Sequence, residues 1–367
     1  MAVATGTSAV AAALELALAG ERISDEDACA ILRSRDLVAV GRVANELRNR
    51  AAEPGVVTFI VDRNLNYTNV CYTDCEFCAF YRRPGDTREG YTLPKAVIFK
   101  KIEETLALGG TAVLMQGGHN PDLGIEWYED LFRSIKARYP IHLHALSPSE
   151  IQHVARKARL TSSEALSRLR DAGLDSLPGG GAEILVDRVR RIISPKKTTS
   201  DEWLQIMRAA HRLGMSTTAT MMWGHVETLE ERVEHLRRIR DLQDEMHGFR
   251  AFISWTYQPD NTALAPQVRW HPTSFDYLLM QAVSRIYLDN VEHIQSSWVT
   301  QGMKIGQVAL AFGADDMGSI MIEENVVSAA GTTYRASTED FVHTIRNAGY
   351  QARQRDTLYR PVRDHAA

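Results

Sequence analysis

The stretch from Val56 to Arg83 reads VVTFIVDRNLNYTNVCYTDCEFCAFYRR. Its β-branched and aromatic runs, Val56–Val61 and Leu65–Val70, flank Asp62-Arg63-Asn64 and predict two strands around a turn. Three cysteines follow as C-x₃-C-x₂-C at Cys71, Cys75 and Cys78. Beyond them, strand-like and helix-like segments alternate. Strands are expected at 111–115, 141–146, 174–177, 217–222, 249–254, 293–296 and 316–321, with helices between them, including 183–193, 274–289 and 303–311. Such alternation means a parallel sheet, and about eight units over roughly 280 residues favour a closed (β/α)₈ TIM-type barrel over an open sheet. The cysteines then stand at the C-terminal end of the first barrel strand, where barrel active sites form.

Working outward, residues 1–54 predict a helical N-terminal extension, with helices at 8–19, 24–34 and 36–52. Ser24-Asp25 suits a helix start and Pro54-Gly55 a stop. The barrel is expected over 55–350, and 351–367 as a C-terminal tail. The Ala-rich start lacks a basic n-region, and Glu15 interrupts it, so it reads as a helix rather than a signal peptide. No run nears the ~20 apolar residues of a membrane span, and a cytoplasmic protein is expected.

The chain has 367 residues, with 42 Lys and Arg against 46 Asp and Glu. That near balance, a net charge of −4, gives no support to bulk electrostatic binding of nucleic acid. No Gly-x-Gly-x-x-Gly follows a first strand and no Walker loop occurs, which argues against a dinucleotide or nucleoside-triphosphate site.

Only four cysteines occur, three of them within eight residues, which suggests a metal or cluster site in a reducing compartment. Three thiolates on a short loop can hold three irons of a cubane [4Fe–4S] cluster. The missing fourth thiolate leaves one iron open to an exchangeable ligand, as a catalytic metal requires. A structural zinc site is the alternative, but no second ligand pair follows. Cys29, in Ala28-Cys29-Ala30, reads as a small core residue.

Other positions gather at expected strand ends. Gly117 and Gly118 let backbone approach a ligand, or simply make a turn. Gly179-Gly180-Gly181-Ala182-Glu183 follows a short strand, and Glu183 also suits the first turn of a helix. His142 and His144 share one strand face, where they fill a barrel interior or form a metal pair; His144 is the better functional candidate. Ser147-Pro148-Ser149-Glu150 resembles a helix start, with substrate contact by Ser147 left open. His225 and Glu227 can move a proton or be solvated loop polars. Arg188, Arg190 and Arg191 read as a charged helix face. The 249–270 loop, with Gln258, Asn261 and Thr262, and the loop after Ser296 are candidate substrate walls.

The cysteine spacing resembles the radical S-adenosylmethionine (SAM) signature. From about residue 15 to 350 the chain resembles the cyclic dehypoxanthine futalosine synthases, radical SAM cyclases of the futalosine route to menaquinone. The resemblance rests on NYTNVCYTDCEFCAFYR, LMQGGHNPDLGIEWYEDL, HLHALSPSEI, LPGGGAEILVDRVR, TMMWGHVET, YQPDNT and SSWVTQGMKIGQVAL…ADDMGSIMIEENVVSAAGTTY. Two relatives share parts of these motifs, aminodeoxyfutalosine synthase and the deazaflavin FO synthases. The resemblance implies a [4Fe–4S] cluster on Cys71, Cys75 and Cys78, with SAM on its open iron. It further implies that Gly117-Gly118 meets the methionyl amine, Glu183 the ribose and Phe77 the adenine. His119 stands where the superfamily often has Glu, and no role passes to it. The implied reaction takes the ribose C4′ hydrogen of dehypoxanthine futalosine and closes the sugar onto the benzoate ring. It implies an external electron donor such as flavodoxin or ferredoxin.

Overall fold

A computed structural model describes residues 4–365. Its strands are β1 (Val56–Ile60), β2 (Asp62–Leu65), β3 (Ala112–Met115), β4 (His142–Ala145), β5 (Ser176–Leu177), β6 (Ser216–Trp223), β7 (Phe249–Thr256), β8 (His293–Gln295), β9 (Asp316–Ser319), β10 (Gln351–Arg355) and β11 (Pro361–His365). They form one curled sheet in the order β11-β10-β1-β9-β8-β7-β6-β5-β4-β3-β2, and every pairing is parallel except β10 with β11. β1 and β2 are two halves of one run, kinked at Val61. The first half pairs with β9 and β10 and the second with β3. Through that run the sheet meets its own beginning, and eight β/α units surround a common interior, as the alternation predicted.

Local chemistry explains where the helices begin. Ser24, Ser147, Thr161, Thr199, Thr228, Thr273 and Ser337 each cap a helix with their hydroxyl. Each cap is reciprocated by Asp or Glu three residues on. Two orphan N–H groups are thereby satisfied at each start. The N-terminal extension is three helices, Ala4–Ala19, Asp25–Leu32 and Leu37–Ala51, as expected. They pack on the outer helices Leu229–Met246 and Ser274–Tyr287, and Cys29 is buried in that core.

Four expectations need correction. Asp62-Arg63-Asn64 is not a turn but β2, and the chain from Asn66 to Val70 is irregular. The polar Asp62 and Asn64 belong to a strand because they face the barrel interior, while Arg63 between them pairs outward with Glu104 and Glu323. The tail at 351–367 carries two strands, β10 and β11, because β1 leaves an edge free for pairing once it kinks away from β3. The helix expected from 183 begins only at Asp187. The helix expected from 303 begins at Trp298 and bends at Gly302, whose φ of 78° lies in the left-handed region glycine tolerates.

Candidate active site

The strands' C-terminal ends open into a cavity of about 300 Å³. Asp62 and Asn64 enter it from β2, Gln116 from the end of β3, His144 from β4, and Gly180, Gly181 and Glu183 from beyond β5. Residues of Ser297 to Thr300 and of the stretch from Met317 to Val327 complete the wall, Ser319 lying directly beside Asp62. Arg355, Thr357 and Tyr359 reach it from the C-terminal strand pair.

The cysteine loop lies beside this cavity and is pinned at several points. The Cys71 amide donates to the Arg82 carbonyl at 2.8 Å, and the Glu76 amide to the Ile193 carbonyl at 2.9 Å. Cys71 and Cys75 are buried. Their sulfurs lie 2.9 and 3.5 Å from the same Thr73 hydroxyl. The His119 backbone N–H points at the Cys71 sulfur from 3.2 Å, and the Phe80 and Tyr81 amides point at Cys78. Burial pushes the Cys75 thiol up to about 12 and raises Cys78, so without a metal both stay protonated at neutral pH. Binding iron supplies the positive charge that turns such thiols into thiolates.

Among the described residues, no three Cys, His, Asp or Glu side chains converge on one point as the ligands of a single ion do. A tetrahedral zinc site requires that convergence. A cubane cluster does not, because each of its cysteines meets a different iron. Three buried sulfurs on one loop, met by backbone N–H groups, suit a cluster, whose sulfurs accept such hydrogen bonds.

Glu183 and its neighbours form the second part of the site. Glu183 is 5% exposed with φ 41°, and its Oε1 accepts from Lys197 Nζ at 3.0 Å. Its Oε2 has no hydrogen-bond partner although it is buried, and Arg190 Nη1 lies 3.6 Å from it as an ion pair. An orphaned carboxylate oxygen there is a waiting acceptor for a ligand's hydroxyl. Lys197 also sits 5.2 Å over the Phe77 ring. Burial opposes its charge, but the Glu183 carboxylate outweighs that and raises its pKa. Arg190 is not on a charged outer face, unlike Arg188, which pairs with Glu231. It is buried and donates to the Gly181, Ala182 and Thr198 carbonyls, fixing the glycine turn beneath Glu183.

The remaining expected residues divide. A Cβ at Gly118 would lie 2.2 Å from the Val70 carbonyl oxygen, so glycine is needed there to seat the strand end against the cysteine loop. The Gly117 N–H donates to Glu150, whose buried carboxylate also accepts from Tyr67 and the Ser147 amide. Ser147 is the predicted N-cap and spends its hydroxyl on the Glu150 amide. His142 and His144 are no metal pair: both rings hold the one Ser176 hydroxyl, at 2.7 and 2.6 Å. Of the two only His144 lines the cavity, and burial lowers its pKa to about 3.

His225 and Glu227 are neither solvated nor in the cavity wall. Both side chains are fully buried. Glu227 accepts from the Gly224 and His225 amides and from Arg232, whose guanidinium lies over Trp223. The segment after Ser296 lines the cavity, but as the first turn of the helix from Trp298 rather than as a loop. Gln258 instead folds back on Thr256, Asn261 donates to the Ala329 carbonyl, and Thr262 is buried.

The sequence reading missed Lys197, Glu150, Asp62, Arg355 and Tyr359. The alternation Ile60, Asp62, Asn64 is the signal that places Asp62 inward, once 62–64 is read as strand. Nothing in the spacing of Arg355 or Tyr359 points to the barrel.

The Radical SAM superfamily model matches residues 65–239, and that of the CofH/MqnC C-terminal region matches 246–366. The fold resembles the solved [FeFe]-hydrogenase maturase HydG of Carboxydothermus hydrogenoformans, with TM-score 0.75 and 14% identity over 96% of this chain and 81% of that one. Methylornithine synthase (PylB) gives TM-score 0.70 and 17% identity over 92% and 96%. With this barrel and an open three-cysteine loop at its mouth, the match defines a radical SAM enzyme, a class that uses a [4Fe–4S] cluster and SAM.

Cyclic dehypoxanthine futalosine synthase of Streptomyces coelicolor is 48% identical over 94% of this chain and 87% of its own length. The Halalkalibacterium halodurans enzyme of that name is 48% identical over 95% and 94%. Aminodeoxyfutalosine synthase of Thermus thermophilus is 40% identical over 95% of each chain. The chain belongs to the cyclic dehypoxanthine futalosine synthase family. Among its described residues, no helix is long and apolar enough to cross a membrane.

Proposed function

We propose that this chain converts dehypoxanthine futalosine to cyclic dehypoxanthine futalosine on the futalosine route to menaquinone. The carrying observation is the 48% identity to cyclic dehypoxanthine futalosine synthases over nearly the whole chain, against 40% for the sister synthase. When bound, the cluster and SAM supply a 5′-deoxyadenosyl radical that takes the ribose C4′ hydrogen, after which the sugar carbon joins the benzoate ring.

Cys71, Cys75 and Cys78 hold the cluster. Glu183, paired with Lys197 and Arg190, offers its carboxylate to the SAM ribose. Phe77 lies on the same side of Lys197 and suits the adenine. Gly117 and Gly118, fixed by Glu150 and Val70, present the strand-end backbone to the methionyl group. Ser147 caps the helix behind them. His144, kept neutral by burial, lies in the cavity to meet the substrate. His225 and Glu227 serve the loop after β6 rather than proton transfer. The Ser297–Thr300 and Met317–Val327 walls close the interior from water, which a carbon radical needs.

The reductant is an external one-electron carrier such as flavodoxin or ferredoxin, the enzyme works in the cytoplasm, and nucleic acid has no part. Anaerobic reaction of the reconstituted enzyme with dehypoxanthine futalosine, and separately with the enol ether used by the sister synthase, tests the reading. A product two hydrogens lighter than dehypoxanthine futalosine supports it. Turnover of the enol ether alone moves the chain to the sister reaction.

A further inference from the structure

Rearomatisation after ring closure must release a proton inside the barrel, and some side chain must take it. Three carboxylates line the cavity among the described residues: Asp62, Glu183 and Glu324. Glu183 is held by Lys197. Glu324 has both carboxylate oxygens engaged by backbone, accepting from the Val326, Val327 and Ser328 amides. Asp62 has neither a cation on it nor a backbone N–H. It is 7% exposed, and its one hydrogen bond comes from the Ser319 hydroxyl of β9.

The histidines do not compete. His144 in the cavity is a weak base, its pKa lowered to about 3 by burial. His225 is engaged by Glu227 and the Met222 carbonyl and stands outside the cavity wall.

We propose that Asp62 is the catalytic base that accepts the ring proton when the cyclised radical regains aromaticity. The proposal rests on the cyclase reading above. In the balanced step, a bond joins ribose C4′ to a ring carbon, and the unpaired electron passes into the ring. The C–H bond at that ring carbon then breaks, its proton going to an Asp62 carboxylate oxygen and its electron pair to the ring. One electron leaves for a one-electron oxidant of the iron–sulfur class. With the C4′ hydrogen carried off in 5′-deoxyadenosine, the product is two hydrogens lighter.

The neighbourhood suits a base working near neutrality. Burial raises Asp62 to about 6, against the hydrogen bond from Ser319 and the charge of Arg355 from β10. Asp316 of β9 adds a like charge that helps raise it, although Arg355 binds that carboxylate at 2.5 and 2.9 Å. The base is thus ionised at neutral pH and close enough in pKa to hold and release a proton.

The test is reaction of the reconstituted wild type, Asp62→Asn and Ser319→Ala with substrate deuterated at C4′. Deuterated 5′-deoxyadenosine and cyclic product are both counted. In Asp62→Asn, label transfer should persist, while product per 5′-deoxyadenosine falls by about 10²–10⁴-fold, the usual contribution of a general base. Ser319→Ala removes a hydrogen bond that favours the carboxylate, so the acid limb of product formation should move to higher pH. A wild-type product ratio in Asp62→Asn, even with slower turnover of both products, would make Asp62 a binding group and overturn the proposal. If Asp62→Asn does not fold, an unmoved acid limb in Ser319→Ala overturns it instead. Absence of label transfer in the wild type would point elsewhere, to failure of the cyclase reading itself.

Discussion

Lys197 places its ammonium 3.0 Å from the Glu183 carboxylate, and both groups are largely buried beside the cysteine loop. A buried carboxylate keeps its charge only with such a partner. Here Lys197 binds one oxygen, and the other, without a hydrogen bond, lies 3.6 Å from Arg190. Lys197 is therefore a positioning residue for cofactor binding, acting through Glu183.

Glu183→Gln should weaken SAM binding by about 1.5–3 kcal/mol, the range for hydrogen bonds to charged groups. Lys197→Met should weaken it too, and the double variant should lose less than the sum of the singles. A coupling of about 0.5–3 kcal/mol is expected for residues in contact. Equilibrium binding of SAM to the reconstituted variants measures all three. Strict additivity would separate the two residues.

Alanine at Cys71, Cys75 or Cys78 should remove the stable cluster and all reductive cleavage of SAM. Cys29→Ala should keep both, because Cys29 is packed among the outer helices. Iron and acid-labile sulfide analysis decides. A fully loaded and active Cys75→Ala protein would be incompatible with the ligand assignment.

Glu227→Gln should damage stability rather than chemistry. It removes the charge that pairs with buried Arg232 and weakens the hold on the Gly224 and His225 amides. Breaking a buried pair costs about 3–5 kcal/mol. A large fall in melting temperature is expected, with the ratio of cyclic product to 5′-deoxyadenosine unchanged in the folded fraction. The reverse pattern would restore Glu227 as a proton carrier.

Stability of the cluster-free protein should fall as pH drops from about 6.5 toward 4. Burial lowers His144 and His235 to about 3 and His211 to about 4, from 6.5. In that window the unfolded chain binds protons at these three sites that the folded chain refuses, so stability is lost with acid. Asp62 works the other way, since its folded value of about 6 lies above its unfolded one. Glu150, raised by burial, joins it, but burial also lowers His119, His142, His153, His225 and His365, so the histidines outnumber the two acids. Melting temperatures at pH 7, 6 and 5 should decline in order, and an unchanged series would contradict these burials.

The barrel was legible because its alternation of strands and helices is periodic, and the cysteine loop because three thiols at fixed spacing have few uses. Glu183 is legible through its glycines, but not the later helix start, since the turn is set by Arg190, which reaches back to the Gly181 and Ala182 carbonyls and forward to that of Thr198. Lys197 was not legible, because it arrives from a separate loop and its partner lies 14 residues away. Asp62 was misassigned to a turn on composition. Asp and Asn favour turns locally, and it is the polar barrel interior that makes Asp62 and Asn64 strand residues, while Arg63 points outward to Glu104 and Glu323. Arg355 and Tyr359 depend on the strand pairing β10–β1, a tertiary event. Once there, Tyr359 is stacked 3.7 Å from His293 on one face and 3.8 Å from Arg355 on the other.

The central claim is that a radical takes hydrogen from the substrate ribose and is not itself built into the product. Dehypoxanthine futalosine carrying deuterium at C4′, reacted anaerobically with reconstituted enzyme and SAM, tests it most directly. Mono-deuterated 5′-deoxyadenosine is expected in amounts comparable to a cyclic product two hydrogens lighter than the unlabelled substrate. An adenosyl-containing product, with no deuterium in free 5′-deoxyadenosine, would contradict it.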